Sequence, residues 1–173
     1  MQISTRPLSE DDVPELVTVL LANRAFLEPW DPIRDDDYYT AEGQLDFLRT
    51  ARAGTTTFPM VIVADGRIAG RITLNNLVRG AFQSCSLGYW VAQDLNGKGV
   101  ATAAVGDAVR YAFGDLGLHR VEAGTLVHNI GSQRVLERNG FTRYGLAPRY
   151  LRIAGRWQDH VLFQRLNPLL EPA

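Results

Sequence analysis

The chain has 173 residues, 46% of them hydrophobic, with 18 Lys and Arg against 19 Asp and Glu for a net charge of −1. That size and composition predict one globular domain over residues 1–173 with a sizeable core. The charge balance leaves no basic footprint for nucleic acid, and no apolar run is long enough to cross a bilayer. The N-terminus has no basic region followed by an apolar run, so the expected location is cytoplasmic, with no membrane partner. Cys85, the only cysteine, excludes an intramolecular disulfide framework and any Cys-rich metal site.

Residues 3–8 read as a first strand. A helix follows with Val13, Leu16, Val17, Leu20 and Leu21 on one face, running to about Phe26. Pro14 must lie in its first turn, which favours Asp11 or Asp12 over Ser9 as the cap. Pro29 and Pro32 end the helix, and they bracket Trp30 in a loop where either substrate contact or cover for the core edge would suit it. Thr40 can cap a second helix carrying Leu45, Phe47, Leu48 and Ala51, ending near Gly54. Residues 55–65 form a β-branched strand, and Asp65-Gly66 is a hairpin turn into a strand over residues 67–74. Asn75-Asn76 reads as a polar break before the next strand, residues 83–91.

After that strand the chain turns through Asn96-Gly97-Lys98-Gly99-Val100-Ala101-Thr102 into a helix with Ala104, Val105, Ala108, Val109 and Ala112 on one face. Two glycines at a helix start leave backbone N–H groups unpaired at the positive end of the helix dipole, a natural phosphate site. A Walker loop would need glycine at 92 and Ser or Thr at 99, where Ala92 and Gly99 stand. A dinucleotide fingerprint starting at Gly97 would need glycine or alanine at Thr102. A strand over residues 119–127, a short helix ending at Asn139-Gly140, and two strands over residues 142–153 and 157–166 complete the chain. The strands flanking the Gly-rich helix form a crossover and should be parallel in an otherwise antiparallel sheet. The fold class is therefore α+β, a mixed sheet of about seven strands flanked by about four helices.

The Gly-x-Gly loop resembles the pyrophosphate loop of the GNAT acyltransferases, Gln/Arg-x-x-Gly-x-Gly/Ala, at every fixed position except Asn96. The order of elements resembles the GNAT fold over essentially the whole chain. Leu87-Gly88-Tyr89-Trp90-Val91, Arg120-Val121-Glu122-Ala123, Asn129 with Ser132, Val135-Leu136-Glu137-Arg138-Asn139-Gly140-Phe141 and Trp157-Gln158-Asp159-His160 resemble the RimJ/RimL-type branch. That branch acetylates α-amino groups of ribosomal proteins or related amines.

The resemblance implies acetyl-CoA as cosubstrate, with no metal. The amides of Lys98, Gly99, Val100, Ala101 and Thr102 would receive the pyrophosphate, and Gly97 and Gly99 would let it approach without a Cβ in the way. Lys98 would either touch a phosphate or stay solvated. The strands before and after the loop-helix would splay, freeing backbone groups at Tyr89, Trp90 and Val91 for pantetheine. Asn129 would bond the pantetheine arm or cap the short helix, and Ser132 would protonate the leaving thiolate or stabilise the first helical turn. Tyr89 would lie near the bond-forming centre. Glu28, Asp31 and Asp159 are candidates for the base, and Asp159 also for organising the acceptor pocket. The expected reaction is direct attack of an amine on acetyl-CoA in a ternary complex. The acceptor would be a protein N-terminus, such as that of a ribosomal protein, or a small amine such as an antibiotic, polyamine or amino acid. A non-catalytic acyl-CoA-binding module is the third reading, and the branch also admits a homodimer.

Overall fold

A computed structural model describes residues 1–170. In order, the elements are β1 (Ile3–Pro7), α1 (Val13–Ala22), α2 (Arg24–Leu27), α3 (Ala41–Ala53), β2 (Phe58–Ala64), β3 (Arg67–Val78) and β4 (Ser84–Val91). There follow α4 (Val100–Gly114), β5 (Arg120–Leu126), α5 (Ile130–Arg138), β6 (Thr142–Ile153) and β7 (Arg156–Leu166). Seven strands form one sheet in the order β1-β2-β3-β4-β5-β7-β6. Every pairing is antiparallel except β4 with β5, whose connection through α4 brings them together parallel.

Helices cover both faces of the β1–β4 half, so β2 and β3 are buried almost continuously instead of alternating. Met60, Ile62 and Ala64 point into the larger core under α4 and α5, and Val61 into a smaller one with Leu8, Leu16, Leu48 and Ile68. The face of α4 that meets the sheet carries Ala104, Val105, Ala108 and Ala112, all fully buried. Side chains that short let the helix axis sit close to the strands, and each buried Val or Leu in this core contributes about 1.5–3 kcal/mol.

Asp12 holds the N-cap position of α1 with Pro14 in the first turn, as the sequence favours, although its side chain makes no bond to that turn. Ahead of it Ser9 caps a single 3-10 turn over residues 10–12, and the Asp12 carboxylate accepts from the Ser9 N–H at 2.8 Å, from its hydroxyl at 2.7 Å and from Arg6 at 2.6 Å. Two local readings change. The first helix breaks at Asn23, which makes five α-helices. The Asn23 amide donates to Val19 O at 2.8 Å while its Oδ1 accepts the N–H of Gln93 at 2.8 Å, tying the break to the loop after β4. Asn75-Asn76 does not end β3. It is a bulge with Asn76 at φ 52°, steadied by Asn76 Nδ2 donating to Ser86 Oγ at 3.1 Å, and the strand runs on to Val78.

Candidate active site

The pairing of β4 with β5 lasts only from Ser84 opposite Arg120 to Ser86 opposite Glu122. Beyond Ser86, β4 keeps its bonds to β3 and β5 its bonds to β7, so the two strands splay and the β4 edge facing β5 has no strand partner over residues 87–91. Gly70 on β3 holds this end of β4 close, because a Cβ there would collide with the Trp90 carbonyl oxygen. The gap between the strands opens into a cleft of about 650 Å³ lined by β4, the start of α4, α5 along its length, and Phe26, Leu27 and Trp30 from across the sheet.

At one side of the cleft the chain enters α4 through Gly97 at φ 74° and Gly99 at φ 83°. A Cβ at either position would meet no protein atom within 4 Å. Glycine is required there by the left-handed backbone and by whatever anion approaches, not by crowding inside the protein. The first intrahelical bond is Ala103 N–H to Gly99 O, at 3.0 Å, so the amides of Val100, Ala101 and Thr102 have no carbonyl within the helix to pair with. No acidic side chain occupies the first turn to fill that role. Asn96 lines the cleft, but its amide is spent on the carbonyls of Ala92 at 3.2 Å and Gln93 at 3.3 Å and braces the loop from within. Lys98 is exposed and does not line the cleft.

Opposite the loop, Tyr89 reaches α5 and its hydroxyl lies 2.8 Å from Ser132 Oγ. Burial pushes the Tyr89 phenol up to about 12, with the Ser132 hydrogen bond opposing the rise in part. The hydroxyl therefore stays protonated through the neutral range. Asn129 Oδ1 accepts the Ser132 N–H at 3.1 Å, so it caps α5 and fixes the turn that carries Ser132. Asn129 also lines the cleft, and its side-chain Nδ2 makes no hydrogen bond among the described residues.

Of the residues the sequence singles out, Tyr89, Trp90, Val91, Asn96, Gly97, Gly99, Val100, Ala101, Thr102, Asn129 and Ser132 all line this one cleft. Glu28, Asp31 and Asp159 do not. Glu28 faces solvent with Arg24 at 3.7 Å, Asp31 holds Arg34 at 3.1 Å, and Asp159 accepts the Arg149 N–H at 2.8 Å in the β6–β7 hairpin. Among the described residues no Asp or Glu lines the cleft. The charged or titratable side chains that do, besides Tyr89, are His128, Arg134 and Arg138, none of which the sequence reading assigns a role in the site. His128 sits on the β5–α5 turn with its ring centroid 5.5 Å from that of Trp30, a contact no sequence spacing announces. Its signal was available only as a polar residue beside Asn129.

The loop that carries Trp30 touches the β6–β7 turn. Ala154 N–H donates to Asp31 O at 2.9 Å, and the side chain of Ile33 lies against Gly155 in the β6–β7 turn. Trp30, Ile33, Tyr150 and Trp157 on these segments are exposed, and of the four Trp30 lines the cleft. Among the described residues there is no group of three His, Cys, Asp or Glu side chains that could hold a metal, and no helix long and apolar enough to cross a membrane.

The Acetyltransferase (GNAT) domain family matches residues 3–142. A Bacillus subtilis (strain 168) protein named probable N-acetyltransferase YjcK is 40% identical over 171 residues, which cover 96% of this chain and 94% of that one. The ribosomal protein uS5-alanine N-acetyltransferase of Escherichia coli (strain K12) is 33% identical over 172 residues, 96% of this chain and 89% of that one. The solved structure of Mycobacterium smegmatis RimJ in complex with CoA-disulfide superposes with a TM-score of 0.91 at 33% identity, covering 99% of this chain and 85% of the other. With its Gly-rich helix entry, splayed parallel pair and a family match over most of its length, the chain belongs to the GNAT family and is an acetyl-CoA-dependent N-acetyltransferase.

Proposed function

We propose that the acceptor is the α-amino group at the N-terminus of a protein or peptide, and that a ribosomal protein is the class to test first. The observation that carries this reading is the absence, among the described residues, of any carboxylate lining the cleft. Attack on a thioester needs a neutral amine. With a pKa near 7.7–8.0, about one α-amino group in ten is already neutral at pH 7, against about one in 2,500 for a lysine-type amine near 10.4. A cleft without a carboxylate base suits the first acceptor far better than the second. His128 is the one imidazole on the lining, and histidine is the residue type best suited to take the remaining proton near neutral pH. A peptide acceptor is also consistent with exposed apolar side chains on the segment that carries Trp30 and on the β6–β7 hairpin it touches, Ile33, Tyr150 and Trp157. The 33% identity to an enzyme named for acetylating the alanine of ribosomal protein uS5 also supports it.

In this reading the free amides of residues 100–102 and the helix dipole hold the diphosphate of acetyl-CoA. The unpaired β4 edge and the Asn129 amide hold the pantetheine arm. The amine nitrogen bonds to the acetyl carbon, the carbon–sulfur bond breaks, and the sulfur leaves as a thiolate. The proton lost by the nitrogen balances the one the sulfur gains. Tyr89 and Ser132, joined at 2.8 Å and both protonated, donate toward the departing sulfur and cannot serve as the base. Such general-acid help is worth about 10²–10⁴-fold.

CoA release measured with an alanine-initiated peptide, the same peptide blocked at its N-terminus but carrying lysine, and spermidine tests the proposal. Turnover confined to the free α-amino peptide is expected. Equal or greater turnover with spermidine would move the assignment to small amines, and CoA binding with no turnover on any acceptor would favour the non-catalytic module.

A further inference from the structure

Two exposed glycines interrupt the middle of the sheet where its strands part. Ser86 opposite Glu122 is the last pair between β4 and β5, and the next residues on the same face are Gly88 and Gly124. It is the face that carries α1 and α3, because Trp90, two residues past Gly88, packs against the core of Leu16 and Leu48. Neither glycine has a positive φ. A Cβ at position 88 would meet nothing nearer than Asn75 Nδ2 at 3.8 Å, and one at position 124 would meet Tyr150, His160 and Leu162 at 3.6–3.7 Å. Those are ordinary contacts, so the protein's own packing demands neither glycine, in contrast to Gly70. Glycine weakens a central strand, and one recurring reason for keeping it is close approach of a ligand.

The hollow over Gly124 is bounded by a histidine with a free nitrogen. His160 is 3% exposed, and its Nδ1 lies 2.9 Å from Gln158 O. A carbonyl oxygen only accepts, so Nδ1 carries the proton and Nε2 of the neutral ring is an acceptor. Nε2 makes no hydrogen bond among the described residues, and it adjoins Cδ2, the ring atom that faces the hollow. The rest of the Trp157-Gln158-Asp159-His160 run serves this ring. Gln158 O fixes its tautomer, while Asp159 accepts the N–H of Arg149, which stands at φ 47° in the β6 bulge that brings the Tyr150 ring to 5.6 Å from the imidazole. Glu122, one step below, is engaged by Arg120 at 3.2 Å and by the Tyr144 hydroxyl at 3.4 Å.

We infer that His160 binds the acceptor, its Nε2 taking one N–H of the incoming amine in the hollow over Gly124. The inference rests on the proposed course of acetyl-CoA along the free edge of β4. Tyr89 packs into the core on the opposite face, under α4 and α5, and meets Ser132 there, so a sulfur protonated by that pair leaves on that side. The open side of the thioester is then the one over Gly88 and Gly124. A neutral primary amine has two N–H groups and one lone pair, and giving one N–H to Nε2 leaves the lone pair free to face the acetyl carbon. Gly88 and Gly124 supply the room for that approach.

Steady-state kinetics of the whole protein with an alanine-initiated peptide test this, alongside calorimetric titration with CoA. His160→Asn keeps a donor for Gln158 O where Nδ1 stands and loses the acceptor at Nε2, whereas His160→Gln carries an amide oxygen to the place of Nε2 and loses the bond to Gln158. H160N is expected to lower kcat/KM for the peptide about 10- to 100-fold, the loss of one hydrogen bond to an amine in a buried site. H160Q should recover most of that loss. Gly124→Ala fills the hollow and should cost about tenfold or more in kcat/KM, chiefly through KM for the peptide, without lowering the thermal midpoint. All three variants should bind CoA as wild type does. The reverse order, with H160Q impaired and H160N near wild type, would make His160 a prop for Gln158 and overturn the inference. Unchanged kcat/KM in both H160N and G124A would overturn it too, as would a matching loss of CoA affinity, which would assign the hollow to the cosubstrate. Failure of wild type to bind CoA would instead remove the acetyl-CoA reading of the cleft itself.

Discussion

Replacing Ser132 with alanine separates a catalytic hydroxyl from a structural one, because the cap on α5 does not use it. Asn129 Oδ1 bonds the backbone N–H of residue 132, a group that alanine retains. What is lost is the 2.8 Å contact to Tyr89. One net hydrogen bond is worth about 1 kcal/mol, so the fold should lose little more than that. The departing sulfur loses much more. If the hydroxyl pair supplies the low end of general-acid assistance, kcat should fall about 10²-fold, or about 2.7 kcal/mol of barrier, with the Kd for acetyl-CoA nearly unchanged. Tyr89→Phe removes the other hydroxyl and should cost a similar factor. Because the two act as one donor, the double variant should resemble either single variant and fall well short of the product. The assay is steady-state CoA release at saturating acetyl-CoA, with unfolding monitored in parallel. Turnover within about threefold of wild type in both variants, or a double variant near the 10⁴-fold product, would refute a shared proton donor.

Other expectations follow from the same geometry. Gly99→Ala forces a Cβ onto φ 83° and should cost about 1–2 kcal/mol by thermal unfolding, together with a marked loss of acetyl-CoA affinity; an unchanged melting point would contradict the left-handed entry. The Arg6 guanidinium and the Ser9 donors hold Asp12 down to about 2 against an ordinary 3.8, so its contribution of about 2 kcal/mol is complete above pH 4 and is lost as the pH falls through 2. Asp12→Asn should flatten that acid limb. Tyr89, pushed by burial up to about 12 from 10, keeps its proton after the unfolded chain has lost its own, so stability should decline between pH 10 and 12 by about 2–3 kcal/mol. Tyr89→Phe should remove that decline. Cys85 is 2% exposed, and burial with Glu122 nearby pushes its thiol up to about 12. It should resist alkylation at pH 8 in the native protein and react once denatured; rapid native labelling would contradict its packing.

The parts of the site legible in the sequence are those carried by backbone. Glycines at 97 and 99 before an apolar helix announce a cradle because only glycine enters the left-handed region freely, and the strand-helix-strand order announces the parallel pair, whose splaying the family resemblance implies. Asn129 and Ser132 were placed by resemblance, and in the structure the cap and the cleft lining coincide on Asn129. What the sequence hid depends on tertiary approach. Arg134 and Arg138 have the spacing of any exposed helical pair, and only the lock of Asn139 on Thr102 turns that face into the cleft. Asn75-Asn76 reads as a break because two polar residues interrupt an apolar run, yet the bond to Ser86 across the ladder makes it a bulge with Asn76 at φ 52°. Glu28 and Asp159 were singled out as acids in the right segments, but the Arg24 guanidinium and the Arg149 N–H engage them away from the lining.

The most direct test of the account is the position of the acetyl group on a peptide carrying both a free N-terminal alanine and an internal lysine, read by tandem mass spectrometry after incubation with acetyl-CoA near pH 7. The account predicts the acetyl group on the N-terminal nitrogen. Acetylation of the lysine side chain at a comparable rate would contradict it.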